Sequence, residues 1–100
     1  MSKIPLFHLG PIVTTPAALE ALQRNSMTGL ELLARHCRGD WGDGLCEEDK
    51  QANNAALQTG ARLLSAYVLP DGERIWIITD AEVDDQHHRY ATTFLLPSDY

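Results

Sequence analysis

This chain is poor in positive charge. Eight Lys and Arg stand against 14 Asp and Glu, a net charge of −6. The basic residues are also scattered, at Lys3, Arg24, Arg35, Arg38, Lys50, Arg62, Arg74 and Arg89. Proteins that bind nucleic acid directly neutralise phosphates with clustered Lys and Arg, so neither DNA nor RNA is an expected ligand. An anionic membrane surface is disfavoured for the same reason. Cysteine is scarce: Cys37 and Cys46 make no disulfide framework, which points to a reducing, cytoplasmic compartment. No apolar run approaches the roughly 18 residues needed to span a bilayer. The opening MSKIPLFHLGPIV has one Lys before its apolar part and no small-residue cleavage pattern, so no signal peptide is expected. The motifs G-x-S-x-G, G-x-x-x-x-G-K-[ST], H-E-x-x-H and G-x-G-x-x-G are all missing.

What is present is an ordinary globular composition, 44% apolar and 22% charged, in 100 residues, enough for a single domain. Its acids are not spread evenly. Asp40, Asp43, Glu47, Glu48 and Asp49 form one cluster, and Asp80, Glu82, Asp84 and Asp85 another. Such runs commonly keep a small protein soluble. They can also present carboxylates to a basic groove, where duplex DNA shows about one charge per 1.7 Å of axis, and steer fast association.

The order of elements reads as α+β. Residues 6–14 are apolar with β-branched Ile12 and Val13 and read as a strand, which Pro11, lacking a ladder donor, makes short, bent or an edge. Thr15-Pro16 opens a helix that Asn25 closes, with Ala18, Leu19 and Leu22 as its apolar stripe. Thr28 and Glu31 have capping-box spacing. Leu30, Leu33, Ala34 and Cys37 then predict one buried face, and Gly39 a stop. A third helix is expected over 47–59, with acids in the first turn where the helix dipole favours them. Ala52, Ala55, Ala56 and Leu57 are its packing face, and Gly60 ends it. Segments 61–69, 73–80 and 88–97 predict an antiparallel meander, the first turn being Leu69-Pro70-Asp71-Gly72. In the middle strand Ile75, Ile77 and Thr79 share one face, and Trp76, Ile78 and Asp80 the other; both are largely apolar, which predicts a central strand. The expected architecture is two layers, helices on one face of an antiparallel sheet of three to four strands.

The residues offer the elements of three chemistries. Cys37, Cys46, His87 and His88 could bind zinc, but their spacing does not suit a compact site. Asp40 to Gly44 lacks the alternating acids of a calcium loop. His36 with Arg38, Asp40, Thr79, Thr92 and Thr93 could build a metal-independent ribonuclease with His as base, although an acidic chain makes a poor phosphate groove. Trp41 is read either as a cover for the core or as an exposed partner anchor, and Trp76 as core. No metal or cofactor is expected.

The stretches HCRGDWGD, RLLSAYVLPDGERIWIITDAE and TTFLLPSDY together resemble a family of small bacterial proteins carried on plasmids and other mobile elements. That family's pattern is a His, then G-D-W-G, then a helix with Asn and Ala, then RLLSAY, LP-G and IWIIT, and a closing LLP-x-Y. The resemblance covers roughly residues 9–100; the loop AEVDDQHH at 81–88 departs from it in being longer and more acidic. A loose restriction-modification label attaches to some members, but this chain has no methyltransferase motif. The resemblance implies a mobile-element setting, in which small acidic proteins act as anti-defence factors, including anti-CRISPR proteins of type I systems. The expected function is therefore non-enzymatic: a monomer with a DNA-mimic surface that inhibits a host CRISPR effector subunit or similar basic protein. Asp40, Trp41, Asp43, Glu47, Glu48, Asp49, Asp80, Glu82, Asp84 and Asp85 would form the contact.

Overall fold

The computed structural model describes residues 5–100. In chain order the elements are β1 (Ile12–Thr14), α1 (Pro16–Arg24), α2 (Leu30–Cys37), α3 (Glu47–Thr59), β2 (Leu63–Val68), β3 (Arg74–Thr79), β4 (Thr92–Leu95) and a 3-10 turn at Pro97–Asp99. The four strands form one sheet in the order β1-β4-β3-β2, giving an α+β domain. The meander forms as expected: β2 pairs antiparallel with β3, and β3 with β4. Gly72 N donates to the Leu69 carbonyl at 2.8 Å, closing the first turn. Among the described residues no helix is long and apolar enough to cross a membrane.

The first strand corrects an expectation. It is three residues long and runs parallel to β4, with Ile12 beside Thr92 and Thr14 beside Phe94. The sheet is therefore mixed, not antiparallel. A parallel neighbour needs a long crossover, and everything from α1 to β3 supplies it. The chain leaves this strand straight into a helix: Thr15 N bonds the Phe94 carbonyl, and Thr15 Oγ1 accepts from Ala18 N at 3.1 Å as N-cap.

The face of β3 carrying Ile75, Ile77 and Thr79 is fully buried. Ala18, Ala21 and Leu22 of α1 and Leu32 of α2 pack on it with Tyr67 and Phe94. Leu19 is exposed, Ala21 taking its place in the stripe. In α2 the expected face is rotated: Leu30 is 70% exposed and Ala34 exposed, while Leu32 and His36 are buried. The capping box does not form either. Gly29 is the N-cap in a left-handed conformation, and Thr28 Oγ1 accepts only from Leu30 N at 3.4 Å. In α3 Ala52 and Ala55 are exposed, and Asn53 and Ala56 are buried. Trp76 is partly buried and meets Tyr100 edge-on at 5.6 Å.

Candidate functional site

The loop between α2 and α3 is built by the sheet's outer edge. Trp41 O accepts from Ala66 N at 2.9 Å, and Ala66 O accepts from Gly44 N at 3.0 Å. The loop thus pairs with β2 like a short extra strand. Next along the edge, Asn53 of α3 donates Nδ2 to Leu64 O at 2.6 Å and accepts Leu64 N on Oδ1 at 3.0 Å. Open strand edges invite intermolecular pairing, and this one is closed by a loop and one amide side chain. Gly42 makes the loop's approach possible: its φ is +92°, and any Cβ there would collide with the Ala66 carbonyl.

Trp41 is 4% exposed. Its ring stacks on Phe7 at 6.3 Å, and its indole N–H donates to Asn54 Oδ1 at 3.0 Å. Trp41 is a core residue and offers no exposed aromatic anchor. Asp40 is also committed. Arg35 donates Nε and Nη2 to its two carboxylate oxygens at 2.7 and 3.2 Å, and this holds the carboxyl below its ordinary range. The Asp40 carbonyl accepts the Tyr67 hydroxyl at 2.6 Å. The remaining acids of the stretch behave differently. Asp43, Glu47, Glu48 and Asp49 are exposed and make no ion pair among the described residues.

The second acidic stretch is mostly occupied with its own loop. Glu82 takes His87 Nδ1 at 3.0 Å and lies 3.6 Å from Arg89 Nη2. Asp84 accepts from Gln86 N at 2.9 Å, His88 N at 3.1 Å and His88 Nδ1 at 2.7 Å. Its pKa is lowered, chiefly by the His88 side chain. Asp80 is half-buried, and its carbonyl accepts from Arg89 Nη1 at 3.0 Å. Asp85 is exposed.

The two clusters sit at opposite ends of α3. Glu47 to Asp49 form its first turn, while Glu82 N donates to the carbonyl of Gly60, the C-cap, at 2.8 Å. A helix of 13 residues separates them by about 20 Å. The result is one compact acidic end, Asp43 to Asp49, and one distant loop with Asp85 at its tip.

The structure brings together a second set of residues, the His36, Thr79 and Thr92 of the nuclease reading, with Ser65 added. His36 is fully buried, with Nδ1 at 2.5 Å from Ser65 Oγ and Nε2 at 2.9 Å from Thr79 Oγ1. Thr79 Oγ1 is 2.8 Å from Thr92 Oγ1, which donates to the Leu9 carbonyl at 2.7 Å. One assignment of protons satisfies this row. Thr92 uses its proton on Leu9 O, so it accepts from Thr79. Thr79 then has no proton left and accepts from His36 Nε2–H. Nδ1 is the acceptor, and Ser65 donates to it. The imidazole is neutral, and its pKa is pushed down to about 4, first by burial and then by the Arg89 guanidinium. Both ring nitrogens are engaged inside the protein, Arg38 is exposed, and Thr93 is on the opposite sheet face. This is a buried relay tying α2 to three strands, not a base facing a groove. Period-two alternation already put Thr79 with Ile77; Ser65 and the role of Asn53 were missed, since no local pattern marks a buried polar partner.

Among the described residues no three His, Cys, Asp or Glu side chains are placed to hold a metal ion. His87 and His88 pair with carboxylates, Cys46 is exposed and Cys37 half-buried. No protein-family model, curated protein or solved structure matches this chain, so the family resemblance rests on its motifs alone.

Proposed function

We propose that this chain is a non-enzymatic, cytoplasmic binding protein from a mobile element. It inhibits a host nucleic-acid-handling defence complex by covering a basic, DNA-binding surface. The partner class is a CRISPR effector subunit of a type I system. The observation that carries the reading is the acidic end of α3: Asp43, Glu47, Glu48 and Asp49 are all exposed and none makes an ion pair among the described residues. Carboxylates so placed attract a basic surface at long range and lose that attraction as salt rises. Helix N-terminal preference accounts for acids in this first turn, but not for Asp43 in the loop before it. The second stretch contributes Asp85 at most, because Glu82 and Asp84 hold their own loop together.

The test is competition. Purified type I effector complex is given labelled duplex DNA and increasing amounts of this protein, at low and moderate salt. Displacement that weakens with salt supports the reading. Absence of displacement at any salt removes it.

A further inference from the structure

Residues 5–11 run as an irregular strap across the buried relay. Among the described residues its backbone bonds to the body are Leu6 N to Cys37 O and Thr92 N to Pro11 O, both 2.9 Å. Its other anchors are side chains. Phe7 is 8% exposed and sits edge-on to His36 at 5.1 Å. Leu9 gives its carbonyl to Thr92 Oγ1, the end of the His36 row. The strap is therefore held by Phe7 and Leu9 packing in the Trp41 cluster, by the Leu6 and Pro11 backbone bonds, and by its contacts with the relay beneath it.

We propose that this strap is an acid-released latch: it stays closed while His36 is neutral and opens when His36 takes a second proton. A second proton would sit on Nδ1, and Ser65 would have to give up its donor bond to the ring and turn its hydroxyl to accept instead. Among the described residues no carboxylate faces the ring to balance the new charge. Facing the ring are the hydroxyls of Ser65 and Thr79, the rings of Phe7 and Trp41, and one charge, the Arg89 guanidinium, which repels a second cation. Glu82 is engaged by Arg89 and His87 instead. Relief comes from solvating the ring, and the cover that must move is Phe7 with its strap. A surface histidine pair, His8 and His88 with rings 5.4 Å apart, links the strap to the 81–91 loop and is the competing source of acid sensitivity. Opening also uncovers Arg89, whose Nε and Nη2 are buried without a hydrogen-bond partner.

The experiment is amide hydrogen exchange by NMR between pH 7 and 4.5, corrected for intrinsic rates, read at Leu6 and Thr92 with Ile77 as the core reference. Opening at Leu6 should rise about tenfold per pH unit below roughly 6.5, with Ile77 opening at least tenfold less often throughout. His36→Gln, which keeps a donor and an acceptor but cannot titrate, should abolish the rise; His8→Gln should retain it. If His36→Gln does not fold, imidazole nitrogen shifts of the wild type decide. They should report Nε2–H at neutral pH and a titration that tracks strap opening. The proposal is overturned by pH-independent opening, by an Nδ1–H tautomer, by a rise that vanishes in His8→Gln, or by equal rates at Leu6 and Ile77.

Discussion

Asn53 pairs with Leu64 as a neighbouring strand would, its amide meeting both the N–H and the C=O of one β2 residue. A side chain of α3 thus completes the hydrogen bonding of a strand edge that the preceding loop covers only at Ala66. Replacing Asn53 with Ala leaves both Leu64 groups without that partner and should cost about 2–4 kcal/mol. Urea denaturation measures this. Asn53→Ala should also raise the tendency to self-associate, seen in light scattering, because the edge is then open.

His36 ties α2 to the sheet, so His36→Leu removes the shared partner of Ser65 and Thr79. Two buried hydroxyls are left short of a bond, and about 3–5 kcal/mol of stability should go with them. A loss under 1 kcal/mol in the same denaturation assay would mean the relay is not a structural tie.

Stability should fall on mild acidification. The folded pKa of His36 is about 4, below the roughly 6.5 of an unfolded histidine. Between those values the unfolded chain binds the extra proton, so the contribution is complete above pH 6.5 and declines as pH drops toward 4, by up to about 3 kcal/mol. Carboxylates with depressed pKa values, such as Asp40 beside Arg35, add a further loss only as pH falls through and below the normal carboxylate range. Urea midpoints at closely spaced pH values should show the two stages, and His36→Gln should lack the first.

Gly42→Ala should be severely destabilising, on the order of 3 kcal/mol or more, because a positive φ and a collision with the Ala66 carbonyl act together. Gly72→Ala is the control: its φ is also positive, at +89°, but a Cβ there meets nothing within 4 Å. Its loss in thermal denaturation should be near 1 kcal/mol.

The parts of this fold that obey local rules were legible in the sequence. Thr15-Pro16, Gly39, Gly60 and the Leu69–Gly72 turn set boundaries through caps and backbone conformation, and the alternation in β3 put Ile75, Ile77 and Thr79 on one face without saying which face is inward. What failed depended on distant partners. The parallel pairing of Ile12 with Thr92 joins residues at opposite ends of the chain. The buried face of α2 was misphased because His36 reads as polar, yet Ser65 and Thr79 satisfy it inside. The acidic stretches look alike as text, but Asp40, Glu82 and Asp84 are held by Arg35, Arg89, His87 and His88, while Asp43 and Glu47 to Asp49 are not. Only the folded arrangement separates carboxylates that hold loops from those left to meet a partner.

The most direct measurement compares wild type with the combined variant Glu47→Gln, Glu48→Gln, Asp49→Asn in the DNA-competition assay on a type I effector complex. These side chains are exposed at the start of α3, so the variant should keep its fold within about 1 kcal/mol. The variant should lose at least tenfold in competition and show a shallower dependence on salt. Equal competition by the two proteins, with the same salt dependence, would contradict the proposed function.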